Sequence, residues 1–241
     1  MTKKKMAVLK SLLIFAFILL SACSQEDTEP AKLVTLGDSI TAGANLENNE
    51  QSGYPYLIGE EEGFEVHNLA VSGWQTGQVT DALREDEAYQ SLVKDADYIA
   101  MTIGGNDLLR ILRSAQTESA GDPMIMTEII LQELSSNNVS VELGELIEEI
   151  RSLTDAKILL YNIYNPLPPS SNQHEIGESL LPQINAVYAE VAENHENVFL
   201  ADAFSAYQEK QADYIIEGDI HPTEEGHAAL AEIGLEALGL E

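Results

Sequence analysis

Leu33-Val34-Thr35-Leu36-Gly37-Asp38-Ser39-Ile40-Thr41 is the stretch that decides the fold. Leu33 to Leu36 is a near-continuous apolar run of strand length. A half-buried strand would alternate apolar and polar side chains, so this one reads as covered on both faces. Gly37 eases the bend that follows, which places Ser39 at a strand-to-helix turn on the carboxyl edge of a sheet. The Ser39 N–H is then expected near a helix N-terminus, where developing negative charge is stabilised. Two plainer readings stand beside this one: a serine that caps a helix, and a phosphate-binding loop.

Four further runs have the same character: Phe64 to Ala70, Tyr98 to Ile103, Lys157 to Ile163 and Asn197 to Leu200. Helical stretches alternate with them. Thr76 to Lys94 follows the second run, and Leu143, Leu146, Ile147 and Ile150 form an apolar stripe at helical spacing before the fourth. Ile176 to Asn194 precedes the fifth run, and Glu224 to Leu240 follows it. Such alternation of β and α elements predicts a parallel sheet sandwiched between helices. Ligands of such sheets bind beyond the carboxyl ends of the strands, so the residues just after each run are the ones to inspect. Ser114 to Asn138 is the least regular segment and is expected to be a helical excursion or a lid.

The ends of the strands supply four groups. Ser39 follows the first. Val71-Ser72-Gly73-Trp74-Gln75-Thr76 follows the second, where Gly73 offers an unobstructed N–H and Trp74 a pocket wall; an ordinary turn with a Thr76 helix cap is the competing reading. Gly104-Gly105-Asn106-Asp107 follows the third, and the Asn106 amide is a neutral donor suited to an oxyanion. Glu217-Gly218-Asp219-Ile220-His221-Pro222 precedes the last helical stretch. An imidazole is the natural base for a serine hydroxyl, because its unperturbed pKa lies near neutrality. The remaining histidines, His67, His174, His195 and His227, show no ligand spacing, and no metal or organic cofactor is expected. His227 reads as a surface or helix-packing residue. Tyr164 to Pro169 reads as a stiff loop bordering the site.

Ser39, Gly73, Asn106 and His221, in this order and spacing, resemble the signature positions of the SGNH hydrolases, also called GDSL esterases and lipases. The similarity spans most of residues 32 to 240. It implies a three-layer αβα, flavodoxin-like fold with five parallel strands, and a serine mechanism. Ser39 would be the nucleophile and His221 its base, while the N–H groups of Ser39 and Gly73 and the Asn106 amide would hold the oxyanion. One position departs from the pattern. The family's aspartate stands three residues before the histidine, and Gly218 occupies that place here. Asp219, two before, is the chosen third member; Glu217, four before, and a Ser-His dyad without a carboxylate are the alternatives.

The N-terminal residues carry a different message. Lys3, Lys4, Lys5 and Lys10 precede the apolar run Ser11 to Leu20, which is short for a permanent membrane span and reads as a cleavable signal peptide over residues 1–22. Leu20-Ser21-Ala22-Cys23 looks like a bacterial lipoprotein box, with Cys23, the only cysteine of the chain, as the lipidation site. Residues 23–31 would then be a flexible tether and 32–241 the hydrolase domain, outside the cell membrane and anchored to it. With one cysteine, an internal disulfide is impossible.

The whole chain of 241 residues has a net charge of −29; residues 1–22 carry four lysines and no acid, so the rest stands at −33. Such a surface repels nucleic acid and anionic headgroups, and a nucleic-acid partner is not expected. The expected substrate is an acyl ester, of a lipid or of an acetylated glycan. A catalytically inactive relative binding glycan or lipid in the same cleft is the alternative function, supported only by Gly218. A nucleotide-binding protein built on Gly37 to Thr41 is a third class, and the charge speaks against it.

Overall fold

The computed structural model describes residues 29–136, 139–171 and 173–240. The proposed signal peptide and Cys23 lie outside the described residues, and the folded unit begins at Ala31. Five strands form one sheet: β1 (Lys32–Gly37), β2 (Glu65–Asn68), β3 (Tyr98–Thr102), β4 (Lys157–Tyr161) and β5 (Val198–Ala201). Their order is β2-β1-β3-β4-β5 and every pairing is parallel. The five strands overlap the five apolar runs, with ends shifted by one or two residues. β2 is the exception, shorter by three residues than its run Phe64 to Ala70.

Between the strands lie α1 (Asn49–Ser52), α2 (Tyr54–Glu62), α3 (Thr76–Glu85), α4 (Glu87–Lys94), α5 (Gly105–Glu118), α6 (Pro123–Ser136), α7 (Val139–Leu153) and α8 (His174–Asn194), and after β5 come α9 (Ala203–Tyr207), α10 (Gln211–Tyr214) and α11 (Glu224–Leu238). Successive strand residues point to opposite faces. Val34, Leu36, Ile99, Met101, Ile158 and Leu160 therefore pack on one side, against Val79 and Leu83 of α3, Ile147 and Ile150 of α7 and Ile184 and Tyr188 of α8. Leu33, Ala100, Leu159 and Tyr161 pack on the other, against Tyr54 and Ile58 of α2 and Leu230 and Leu238 of α11. Each fully buried Leu or Ile contributes about 1.5–3 kcal/mol, so both faces of the sheet demand a helical layer. The result is the three-layer αβα arrangement.

One sequence expectation changes. The single helix over Thr76 to Lys94 is two helices, because the Asp86 carboxylate accepts from the N–H groups of Ala88 and Tyr89 and starts α4 afresh. The segment from Ser114, expected as a helical excursion or a lid, is helical as far as Ser136: the end of α5, a turn, and α6. Asp122 Oδ1 accepts from Met124 N at 2.9 Å and Ile125 N at 3.3 Å, with Pro123 as the first helical residue. An aspartate followed by a proline is a helix start legible in sequence. Among the described residues, no helix is long and apolar enough to cross a membrane.

From β1 the chain goes outward to β2 and then crosses back over β1 to β3. The strand order thus reverses at β1 and β3, and the crevice beyond their carboxyl ends is where such sheets take ligands. Gly37, the last residue of β1, is in register with Thr102, the last of β3. Ser39 and Asn106 follow within two and four residues of these ends.

Candidate active site

Ser39, Asp219 and His221 form one hydrogen-bonded chain across 182 residues of sequence. Ser39 Oγ lies 2.9 Å from His221 Nε2, and His221 Nδ1 lies 2.7 Å from Asp219 Oδ1. An ionised carboxylate only accepts, so Nδ1 carries the proton and Nε2 is left to accept from the serine hydroxyl. Ser39 is buried, with 9% of its surface exposed, and the His221 side chain keeps 17%.

The loop that carries Asp219 and His221 is built for this contact. Ile215 and Pro222 form an antiparallel bridge, and Ile216 N donates to His221 O at 3.0 Å. Within that closure Asp219 N donates to Ile216 O at 2.9 Å, and Gly218, at the third position of the turn, has φ +77°. A turn with positive φ there favours glycine. The chain bends through Asp219, Ile220 and His221, and the spacing of two brings the carboxylate to the ring at 2.7 Å. Glu217 is exposed, and among the described residues its side chain has no hydrogen-bond partner. Just beyond, Thr223 caps α11 by accepting from Gly226 N, which anchors the loop to a helix. Tyr164, stacked on Tyr207 with centroids 4.4 Å apart, donates its hydroxyl to Ile220 O at 2.8 Å.

Asp219 is held from three sides. Besides the imidazole, Ile220 N donates to Oδ1 at 2.6 Å and Asn45 Nδ2 to Oδ2 at 2.7 Å. Desolvation is the largest single influence and raises the carboxyl, but these donors and the imidazole together outweigh it and keep it below the usual aspartate range.

The other predicted groups lie on the turns after β2 and β3. Asn106 opens α5 and donates its amide to Trp74 O at 2.9 Å, which ties the turn after β3 to the turn after β2. That bond uses one amide hydrogen and leaves the second. The backbone N–H groups of Ser39 and Gly73 have no partner among the described residues. The half-buried Trp74 ring packs on the core beside Tyr89. Thr76 is not the cap of α3; Gln75 is. The Thr76 N–H and hydroxyl both donate to the buried Asp107 Oδ2 at 3.1 Å, so Asp107 clamps the start of α3 to the start of α5.

The chain beyond Ser39 also departs from expectation. Residues 38–45 form successive turns rather than a helix, so no helix N-terminus fronts the Ser39 N–H. Their anchor is polar and buried. Asp38 Oδ1 accepts from Ile40 N and from the Thr102 hydroxyl at 2.9 Å. Having given its proton to Asp38, Thr102 Oγ1 accepts from Thr41, and Thr41 Oγ1 in turn accepts from Tyr54. Burial pushes the Asp38 carboxyl up to about 6 despite these donors.

The remaining histidines are structural. His227 is fully buried in α11, accepts from Tyr54 N through Nδ1, and is pushed down to about 4, first by desolvation and then by the charge of His221. His174 and His195 bond to the backbone oxygens of Leu167 and Val191. Among the described residues no cluster of three metal-ligating side chains occurs. Sequence reading missed Asn45, Thr102 and the clamp role of Asp107. Only the last carried a signal, an acid directly after Asn106.

Residues 35–229 match the model of the GDSL-like lipase/acylhydrolase family. The spore germination lipase LipC of Bacillus licheniformis is 28% identical over 207 residues, covering 82% of this chain and 91% of its own. The lipase Lip_vut3 from a goat rumen metagenome is 26% identical with a TM-score of 0.68, over 87% of this chain and 97% of that one. A catalytic mutant of Axe2, an acetylxylan esterase from Geobacillus stearothermophilus, shares the fold at 23% identity and a TM-score of 0.61, over 88% and 95% of the two chains. The Ser39–His221 contact beyond the carboxyl end of β1, and a family match over most of the folded unit, lead to one conclusion: the chain belongs to the GDSL-like lipase/acylhydrolase family, the SGNH hydrolases, and is an esterase or lipase of that family.

Proposed function

We propose that this enzyme cleaves acyl or acetyl esters through a covalent acyl-enzyme on Ser39. The observation that carries the reading is the chain from Ser39 Oγ through both nitrogens of His221 to Asp219 Oδ1. His221 takes the hydroxyl proton as Ser39 Oγ bonds to the ester carbonyl carbon, and the ring becomes an imidazolium stabilised by Asp219. The carbonyl oxygen, now an oxyanion, receives the N–H groups of Ser39 and Gly73 and the second hydrogen of the Asn106 amide. The intermediate collapses as His221 gives its proton to the departing alkoxide. Water then repeats the sequence on the acyl-enzyme, releasing the acid and restoring Ser39.

The substrate class follows from the relatives, one named a lipase and one, sharing the fold, an acetylxylan esterase. A net charge of −33 beyond residue 22 favours neutral esters over anionic ones. The lipoprotein box at Cys23 supports a location outside the cell, anchored to the membrane by lipid on that cysteine. Gly218 was the one feature favouring an inactive binding protein, and Asp219 supplies the carboxylate that Gly218 lacks.

The test is hydrolysis of p-nitrophenyl acetate, butyrate and octanoate by the soluble chain starting at Ser24, beside Ser39→Ala and His221→Ala. Turnover in the parent, lost in both folded variants, is expected. Equal turnover in parent and Ser39→Ala would overturn the assignment.

A further inference from the structure

Asn45 lies at the outer edge of the site, 174 residues from Asp219 in sequence, and it sits in the left-handed region at φ +69°. The turn that places it is local: Leu46 N donates to Gly43 O at 3.3 Å, with Asn45 as the third residue. Asparagine tolerates this conformation better than other side chains, so the turn alone accounts for an asparagine. It does not account for where the amide goes. Asn45 Nδ2 is 2.7 Å from Asp219 Oδ2 and 3.1 Å from His221 Nδ1. The nitrogen must face the carboxylate, since Oδ1 in its place would set two acceptors against each other. His221 Nδ1 already spends its hydrogen on Asp219 Oδ1, so the amide hydrogen goes to Oδ2.

The carboxylate is thus bridged, imidazole on one oxygen and amide on the other, which fixes its plane. Asp219 needs such a hold. Its segment is the part of the site that departs from the family spacing, and its side chain is 28% exposed. Resting on the serine-hydrolase reading above, we propose that Asn45 is a positioning residue for the reaction: it holds Asp219 in line with His221 and makes the two-residue spacing workable.

The test uses the soluble enzyme with p-nitrophenyl butyrate. Asn45→Gly keeps the left-handed turn and removes the amide. Its melting temperature is expected to match the parent while kcat falls about tenfold at unchanged KM. That is less than the ~100-fold a 1 Å misplacement can cost, because water reaches this exposed position. In an Asp219→Ala background the same change is expected to do nothing further, since the group it positions is gone. Asn45→Asp places a second carboxylate beside His221, which already faces Asp219, Asp38 of the β1 turn and His227 of α11. It is expected to move the acidic limb of kcat/KM to higher pH, a shift that a purely structural asparagine would not produce. Parent-like kcat in Asn45→Gly, an additive loss in the double variant, or an unmoved limb in Asn45→Asp would overturn the proposal. The serine-hydrolase reading fails differently, by activity that survives Ser39→Ala.

Discussion

Asp219 and His221 stand on one short loop, two residues apart, and meet at 2.7 Å. The contact singles out Asp219 over Glu217, whose side chain is exposed and one turn away. Asp219→Ala is expected to lower kcat on the order of 10⁴-fold, as loss of the orienting carboxylate does in serine triads. Glu217→Ala is expected to stay within about twofold, as surface substitutions do. Steady-state kinetics of the two variants side by side checks the ranking, and the reverse order would reassign the carboxylate.

Gly73 and Gly104 both have positive φ, +85° and +94°, yet their substitutions should differ. A Cβ on Gly104 would stand 2.1 Å from the hydroxyl of Tyr188, which donates to Ile103 O. A Cβ on Gly73 would meet nothing within 4 Å. Gly73→Ala therefore carries only the left-handed strain of about 1–2 kcal/mol and should fold. Gly104→Ala adds a clash in the core and should cost about 3 kcal/mol or more. Chemical denaturation of the two variants measures the difference.

Asp38 makes stability depend on pH in an unusual direction. Its folded value, about 6, lies above the ordinary 3.8, so the native state holds the proton more tightly than the unfolded chain. Stability from this group is full below pH 4, is lost as pH rises toward 6, and is flat above. The loss amounts to roughly 3 kcal/mol. In Asp38→Asn the amide oxygen can still accept from Ile40 N and Thr102, and the pH-linked loss disappears. The difference in melting temperature between variant and parent is expected to grow from pH 4 to pH 6.5 and then level off. A constant difference across that range would contradict the assignment.

His227 works in the opposite sense. Its folded value, about 4, lies below 6.5, so the unfolded chain takes up the proton first and stability is lost as pH falls from 6.5 toward 4. His227→Asn retains an acceptor for Tyr54 N and is expected to lose less stability than the parent between pH 7 and pH 4.5, whatever it loses at neutrality.

β1, β3 and β4 were legible because they are buried on both faces and so read as near-continuous apolar runs. Val34 and Leu36 point one way and Leu33 the other, and all are apolar. Ser39, Gly73 and Asn106 were legible because each closely follows a run, and His221 because it stands just before the last helical stretch. One helix boundary was not: Asp86 starts a helix with side-chain bonds inside a stretch that reads as a single helix from Thr76 to Lys94. Asn45 was invisible for another reason. Its contact with Asp219 spans 174 residues and depends on two turns closing toward each other, which no local pattern encodes. The expected helix after Ser39 failed because Asp38, Thr41 and Thr102 offer the backbone and one another a buried polar network instead.

The most direct test of the central claim is the mass of the intact soluble enzyme after incubation with diethyl p-nitrophenyl phosphate. An activated serine attacks the phosphorus and expels p-nitrophenolate, leaving one diethylphosphoryl group that cannot be readily hydrolysed. The account predicts a single adduct mapped to Ser39, its rate sharply reduced in His221→Ala and its formation absent in Ser39→Ala. A folded parent that gains no adduct, or gains one elsewhere, would contradict it.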